Sequence, residues 1–386
     1  MDNLLIKGEN TKAMRWLLEN GFREAFDLVY VDPPFATNGV FAVSKGRAST
    51  ISRTRDAETA YTDRILGADF VGFIRQRLVL ARDLLSPRGS IYLHTDCKIG
   101  PYLRVMMDDV FGIGNFRNEI TRIKCNPKNF PRIGFGNVKD SILFYTKGPD
   151  PIWHEPRESY SEADIERLFH KVDASGRRYT TVPIHAPGET ASARPFKGMM
   201  PPPGRHWRTD VANLEQWDAE GLIEWSESGN PRKKVFADER EGKRIQDVWT
   251  SFKDPMYPSY PTEKNAALLD LVVRTSSDPG SLVLDFFCGS GTTAAAAQRA
   301  GRRWVAIDES AAAIAAAKKK LGLEGGSPDG AVFMDMDTDT PGPPQSAHME
   351  GGRYKEDEAG QMMFVMERPA RWMRTPRGKR GLAGAL

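Results

Sequence analysis

Two apolar runs of strand length, each ending in an unusual loop, set the strongest limit on how this chain can fold. Leu28-Val29-Tyr30-Val31 leads into Asp32-Pro33-Pro34-Phe35, and Leu282-Val283-Leu284-Asp285 leads into Phe286-Phe287-Cys288-Gly289-Ser290-Gly291. Continuous apolar runs of this length suit a parallel sheet covered on both faces. In open α/β sheets ligands bind beyond the carboxyl ends of the strands. Both loops are therefore expected on one rim of a mostly parallel, doubly wound α/β sheet.

The rest of the pattern supports that reading in two separated halves. Residues 1–148 give strands near 4–6, 27–31 and 90–95 and helices near 11–20 and 100–111. A further helix over 70–85 has apolar residues at 70, 73, 74, 78, 81, 84 and 85, and Ser86-Pro87-Arg88-Gly89 stops it. Residues 119–124 and 141–146 read as terminal strands, an antiparallel pair. Over 149–248 the βα alternation disappears, while Pro195, Pro201, Pro202 and Pro203 and a run of tryptophans (Trp153, Trp207, Trp217, Trp225) mark an inserted, irregular region. Alternation resumes over 249–321, with a helix over 262–276, the strand 282–285, a helix over 292–300 and the strand 304–308. Residues 322–386 are rich in Gly, Pro and Asp and read as a low-complexity, partly disordered tail with one short strand near 362–366.

Composition narrows the class. The chain has 386 residues, 40% hydrophobic and 27% charged, ordinary values for a globular protein, and its net charge of +3 neither requires nor excludes a polyanionic partner. No stretch is apolar enough to span a membrane. Met1-Asp2-Asn3-Leu4 has no basic segment before an apolar one, so no signal peptide is expected. Cys97, Cys125 and Cys288 are scattered without metal-ligand spacing, which points to a reduced, cytoplasmic protein without a metal site.

The second loop has the makings of a nucleoside site. Gly289 and Gly291 make a tight turn between strand and helix that lets the backbone approach a ligand, and Ser290, Thr292 and Thr293 are available to cap the helix. The spacing is not G-x-G-x-x-G, which weakens a diphosphate reading. Asp308, at the end of the next strand, is placed to accept hydrogen bonds from ribose hydroxyls. A structural βα turn would explain the glycines alone.

The first loop suits an exocyclic amine, a poor nucleophile because its lone pair is delocalised into the ring. The Asp32 carboxylate and the Pro33 carbonyl can each accept one N–H, leaving the lone pair aimed at an electrophile. Consecutive prolines, Pro33 and Pro34, stiffen the loop, and Phe35 offers a flat face for stacking a base. The competing reading is a plain Asp-Pro turn.

Taken together, the two motifs make the chain resemble DNA amino-methyltransferases of the beta arrangement, in which the catalytic motif precedes the cofactor motif. It resembles in particular the modification subunits of type III restriction systems and their solitary relatives, over roughly residues 2–320. The resemblance also rests on Asn3-Leu4-Leu5-Ile6-Lys7-Gly8, Tyr61-Thr62-Asp63, Arg77-Leu78-Val79-Leu80-Ala81-Arg82-Asp83-Leu84-Leu85 and Ile91-Tyr92-Leu93-His94-Thr95-Asp96. Pro201-Pro202-Pro203-Gly204-Arg205-His206-Trp207-Arg208, Asp247-Val248-Trp249 and Tyr260-Pro261-Thr262-Glu263-Lys264 complete it. The resemblance implies a Rossmann-like methyltransferase sheet with residues 149–248 inserted for target recognition. It implies S-adenosylmethionine as donor, with Asp285, Phe286, Phe287, Gly289, Gly291 and Asp308 around it and Thr262 and Lys264 near its methionine end. Three positions depart from the family: Phe35 replaces the commoner Tyr, and Phe286 and Asn265 stand where Pro is usual.

The implied substrate is double-stranded DNA whose target base is flipped out of the stack. Within the family, Asp at the first motif position is commoner among adenine-specific members, favouring adenine-N6; cytosine-N4, RNA adenine and a non-catalytic DNA-binding relative are the alternatives. Methylation at cytosine carbon 5 would need a Pro-Cys pair, which the chain lacks, and Cys288 reads as a small buried residue. Arg47, Arg53 and Arg55, the cluster Arg232-Lys233-Lys234 with Arg240, Lys243 and Arg244, and Arg374, Arg377, Lys379 and Arg380 are the basic groups available to phosphates. His206 and Trp207 read as packing residues, and His94 and Asp96 as polar support near the pocket. Homodimerisation and a restriction endonuclease partner are left open.

Overall fold

The computed structural model describes residues 3–34, 67–127, 133–188, 194–258, 263–324 and 331–338, residues 131, 190 and 260, and five further short strands. Side chains are described from Phe70 in the second stretch, and only the backbone of Val40–Ser44, Arg47–Ser49, Glu58–Thr62, Arg353–Glu356 and Met362–Val365. The chain forms two compact units, residues 1–340 and 341–386. In the second unit, Arg353–Glu356 and Met362–Val365 pair as an antiparallel hairpin.

In the first unit nine strands make one sheet: β1 (Leu4–Lys7), β2 (Phe26–Val31), β3 (Leu85–Thr95), β4 (Phe116–Ile123), β5 (Lys139–Thr146), β6 (Val248–Trp249), β7 (Leu282–Asp285), β8 (Arg303–Asp308) and β9 (Val332–Asp335). Their order is β6-β4-β5-β3-β2-β7-β8-β1-β9. All neighbours are parallel except where β5 meets β3 and β4. Chain direction across the sheet reverses between β2 and β7: β2 is followed outward by β3 on one side, β7 by β8 on the other. That is the switch point where a crevice opens at strand carboxyl ends.

Alternating side chains of each strand face two helical layers, as the period of two requires. Val29, Val31, Leu282 and Leu284 pack with α1 (Asn10–Glu19), α2 (Gly67–Leu84) and α3 (Gly100–Phe111). Leu28, Tyr30, Val283, Trp304 and Ala306 pack with α4 (Ala266–Thr275), α5 (Thr292–Arg299) and α6 (Ala311–Lys320). Local chemistry sets several boundaries. Glu9 accepts the Thr11 and Lys12 N–H groups to start α1. The helix expected from Thr262 begins only at Ala266, because the Asn265 side chain accepts the Ala267 N–H and caps it. Residues 86–89, read as a helix stop, bulge from β3, whose register slips between the pairs Phe26–Leu85 and Leu28–Ser90.

Two stretches differ from the sequence expectation. Residues 119–124 and 141–146 do form an antiparallel pair, yet β6 adds a parallel strand outside β4, so neither is terminal. Val332–Asp335, within the stretch read as tail, extends the opposite edge: it pairs with Leu4–Lys7, and Asp335 forms an ion pair with Lys7 at 3.0 Å. Between β5 and β6 the chain builds a four-stranded antiparallel sheet from Lys171–Val172, Arg178–Pro183, Ile223–Trp225 and Pro231–Phe236. A small core of Ile184, Phe196, Trp207, Leu214 and Ile223 accompanies it. Trp207 is fully buried, its Nε1–H donating to the Arg194 carbonyl at 2.8 Å.

Candidate active site

The two sequence motifs meet at the switch point. Asp285, last residue of β7, pairs in register with Tyr30 of β2, and Asp32 follows two residues on. Asp32 is partly buried. Its Oδ2 lies 2.5 Å from the ammonium of Lys264, while its Oδ1 is buried and accepts no hydrogen bond among the described residues. Pro33 is buried and Pro34 half-buried beside it. Phe35 and Thr262 lie outside the described residues, as do Asp63, Arg53, Arg55 and the tail arginines.

The glycine turn is held by carboxylates. Asp308 accepts the Gly289 N–H on Oδ2 and the Ser310 N–H on Oδ1, both at 2.9 Å, and each oxygen retains a lone pair for a further donor. Asp285 Oδ1 accepts the Phe287 N–H at 3.1 Å. Burial pushes the Asp285 carboxyl up to about 7, against hydrogen bonds from Thr293 and the Phe287 N–H, and the charges of Asp32 and Asp308 add to the rise. Burial also raises Asp308. Asp32 and Asp308 lie close enough to Asp285 for their charges to act on it, and among the described residues only Asp32 of the three is paired to a cation. The field at this rim is therefore negative and suited to a cationic ligand.

Gly289 and Gly291 have φ of +50° and +75°, which glycine adopts without strain. Gly291 occupies the cap position of α5, and among the described residues no side chain caps this helix. Ser290 and Thr292, expected as caps, instead accept from Lys320 Nζ at 2.8 and 2.9 Å, and the same ammonium bonds Glu263 at 2.5 Å. Phe286, in place of the usual Pro, is buried, and its carbonyl accepts from the Asn10 amide at 2.8 Å. Its ring and that of Phe287 are 5.3 Å apart.

Glu9, Asn10, Lys124 and Asp140 join the site without a sequence signal of their own, beside residues of the quoted motifs. Arg77 donates to Asn10 and Glu9, both at 2.6 Å, and so ties α2 to the start of α1 beneath the Phe286 carbonyl. Tyr260 lies over Gly289, where an added Cβ would meet its ring at 3.7 Å. On the floor, the Tyr30 hydroxyl meets His94 Nδ1 at 2.9 Å, His94 Nε2 meets Asp140 at 3.3 Å, and Asp140 meets Lys124 at 2.6 Å. Burial would raise Asp140, but the contacts from His94 and Lys124 hold it well below the carboxylate range. Burial, with the Lys264 charge adding, lowers His94 and keeps it neutral. An ionised Asp140 then takes the Nε2–H, and Nδ1 accepts the Tyr30 O–H. The polar support read for His94 takes this form; Asp96 instead accepts the Lys98 and Ile99 N–H groups ahead of α3.

A family model described as a DNA methylase matches residues 26–319. The chain is 38% identical over 330 residues to the type II methyltransferase M.EcaI of Enterobacter cloacae, covering 84% of this chain and 70% of that protein. It is 26% identical to the StyLTI Mod subunit of Salmonella typhimurium and to the EcoPI Mod subunit of Escherichia phage P1, both type III restriction-modification enzymes, in each case over 76% of this chain. It spans 49% and 54% of those two subunits, about half their length. By the family match, whose span contains both motifs that converge at the switch point, and by the M.EcaI likeness, the chain belongs to the DNA methylase family.

Proposed function

We propose that this protein transfers a methyl group from S-adenosylmethionine to the exocyclic N6 amine of a flipped adenine in double-stranded DNA. The observation that carries the reading is the buried Oδ1 of Asp32, which has no donor among the described residues, at the switch point beside the glycine turn. A buried carboxylate oxygen without a donor costs free energy unless a ligand supplies one, and an amino group does so. The residues present fit the donor: the turn at Gly289 admits close backbone approach, Asp308 keeps acceptor capacity for hydroxyls, and the negative field at this rim favours a cation. S-adenosylmethionine, when bound, supplies an electrophilic methyl on a sulfonium.

The chain's own residues do the rest. Asp32 Oδ1 and the Pro33 carbonyl accept the two N–H bonds of the amine and draw its lone pair out of conjugation. Asp32 stabilises the positive charge that develops on nitrogen and is placed to receive its proton. Phe35 stacks on the base. The displacement is direct, without a covalent intermediate on the enzyme. Asp at the first motif position favours adenine over cytosine.

Residues 149–248 form the target-recognition segment in this reading, between a catalytic half (1–148) and a cofactor half (249–321). The charge pattern supports it. Lys243 and Arg244 are paired with carboxylates. Arg205, Arg208 and Arg232 have no acidic partner among the described residues and gather around His185, which burial and then these three charges push down. Uncompensated arginines suit phosphodiesters. Transfer of labelled methyl to DNA, followed by base analysis of the product, tests the function. N6-methyladenine supports it, N4-methylcytosine moves it to the other amine, and no incorporation leaves a DNA-binding relative.

A further inference from the structure

We infer that Lys264 is a positioning residue that fixes the Asp32 carboxylate for the incoming amine, an inference that rests on the function proposed above. The Lys264 side chain is 9% exposed, and its ammonium meets Asp32 through Oδ2 at 2.5 Å. The other oxygen, Oδ1, is the buried one without a donor among the described residues. A carboxylate turns about its last carbon–carbon bond, so either oxygen can present itself. A cation held on one of them removes that freedom and leaves the second aimed in one direction.

That cation is itself anchored on both sides. The preceding residue, Glu263, is held by Lys320, whose ammonium also grips Ser290 and Thr292 at the head of α5. The following residue, Asn265, caps α4 and donates its amide to the Lys253 carbonyl at 2.8 Å. Tyr260 also lies on Gly289. The residues that flank Lys264, held to the head of α5 and to the start of α4, therefore also set the acceptor oxygen.

Asp285, Tyr30, His94 and, beyond the last two, the buried Arg122 face this pair. Asp285 lies across the strand pair, and Tyr30 and His94 lie below, both close enough to feel the Asp32 charge. None of these supplies Asp32 with a positive counter-charge, and Lys264 does. Family resemblance places Lys264 near the methionine end of the cofactor, so the test reads cofactor affinity and turnover separately.

In Lys264→Met, turnover at saturating cofactor is expected to fall about 10- to 100-fold, the loss typical of a misplaced catalytic group, while the cofactor Kd by calorimetry changes less than about 3-fold. In Lys264→Ala, added propylammonium is expected to restore part of the rate, and 1-propanol none. Turnover unchanged in Lys264→Met, or a loss appearing only as weaker cofactor binding and removed at saturation, overturns the positioning role. Absence of methyl transfer by the unaltered protein overturns the function instead, so the two failures are distinct.

Discussion

Asp285 stands opposite Tyr30 in the register of β7 and β2. This one pairing brings together loops from opposite ends of the chain: the glycine turn begins at Asp285, and the acceptor loop begins two residues beyond Tyr30. The separation of the motifs in sequence is immaterial once both strands end on the same rim.

Asp32 offers the direct test of the acceptor geometry. Asp32→Ala is expected to lower methyl transfer by about 10²- to 10⁴-fold, the usual contribution of a positioned acid–base group. Cofactor binding should persist, because the groups that hold the turn are Asp308 and Asp285. Rate and calorimetric affinity, measured on the same preparation, separate the two effects.

Asp308 should show the reverse pattern. Asp308→Ala leaves the Gly289 and Ser310 N–H groups without their acceptor. Each orphaned donor costs about 1–3 kcal/mol, so cofactor affinity is expected to drop roughly 10-fold or more. An affinity equal to that of the unaltered protein would show that this carboxylate does not shape the site.

Asp285 makes both stability and binding depend on pH. Its carboxyl is raised from 3.8 to about 7 on folding, so between these values the folded state keeps a proton that the unfolded state has released. The contribution is therefore favourable at low pH and is lost as pH rises toward 7. Asp285→Asn should be the more heat-stable form at pH 8 and should flatten the slope of melting temperature between pH 4.5 and 7. Cofactor affinity should rise from pH 6 to 8 in the unaltered protein, as the ionised carboxylate draws a cationic ligand. The Asn variant should lack that rise.

The two turn glycines are predicted to differ in tolerance. At Gly291 the φ of +75° coincides with an added Cβ 3.1 Å from the Ala317 Cβ, so Gly291→Ala should cost about 1–3 kcal/mol. At Gly289 the nearest atom is the Tyr260 ring at 3.7 Å, an ordinary contact, and only the backbone conformation opposes a side chain. Melting curves should rank Gly291→Ala as the less stable of the two.

Arg205, Arg208 and Arg232 are expected to act on DNA through charge. Changing each to Gln should reduce the slope of log affinity against log salt by about 0.9 for every phosphate no longer neutralised. Arg244→Gln, which removes a side chain already paired with Glu155, should leave the slope unchanged. Equal slopes in all four variants would remove this face from the DNA-binding surface.

The parts of this fold legible in the sequence are those written in apolar periodicity. β2 and β7 carry the continuous apolar runs 28–31 and 282–284, and α2 shows its buried stripe at 70, 74, 78, 81 and 84. The antiparallel sheet of the middle region lacks that signal because its strands are short and charged: Pro231–Phe236 carries Arg232, Lys233 and Lys234 with no run of apolar residues. β9 is hidden for a related reason, being an edge strand of four residues that pairs with Leu4–Lys7. In the site, Asp32 and Asp308 can be read from their place after strands. The Lys264–Asp32 contact cannot, because a side-chain pairing between remote residues leaves no periodic trace. Asn265 likewise reads as a departure from pattern in the sequence, and its capping bond supplies the reason.

The middle segment leaves the sheet at β5 and returns at β6, both within one strand of β4. Its return is fastened by the Asp247 carbonyl on the Thr121 N–H at 2.8 Å and by the Ile245 N–H on the Pro156 carbonyl at 3.0 Å. Both ends are thus moored to one margin of the sheet, with β3 standing between β5 and β2. In the proposed reading, where this segment recognises the target, a cassette of different length or shape can replace it while the chemical floor stays untouched, and new sequence preferences then arise by substitution of a module without rebuilding the catalyst.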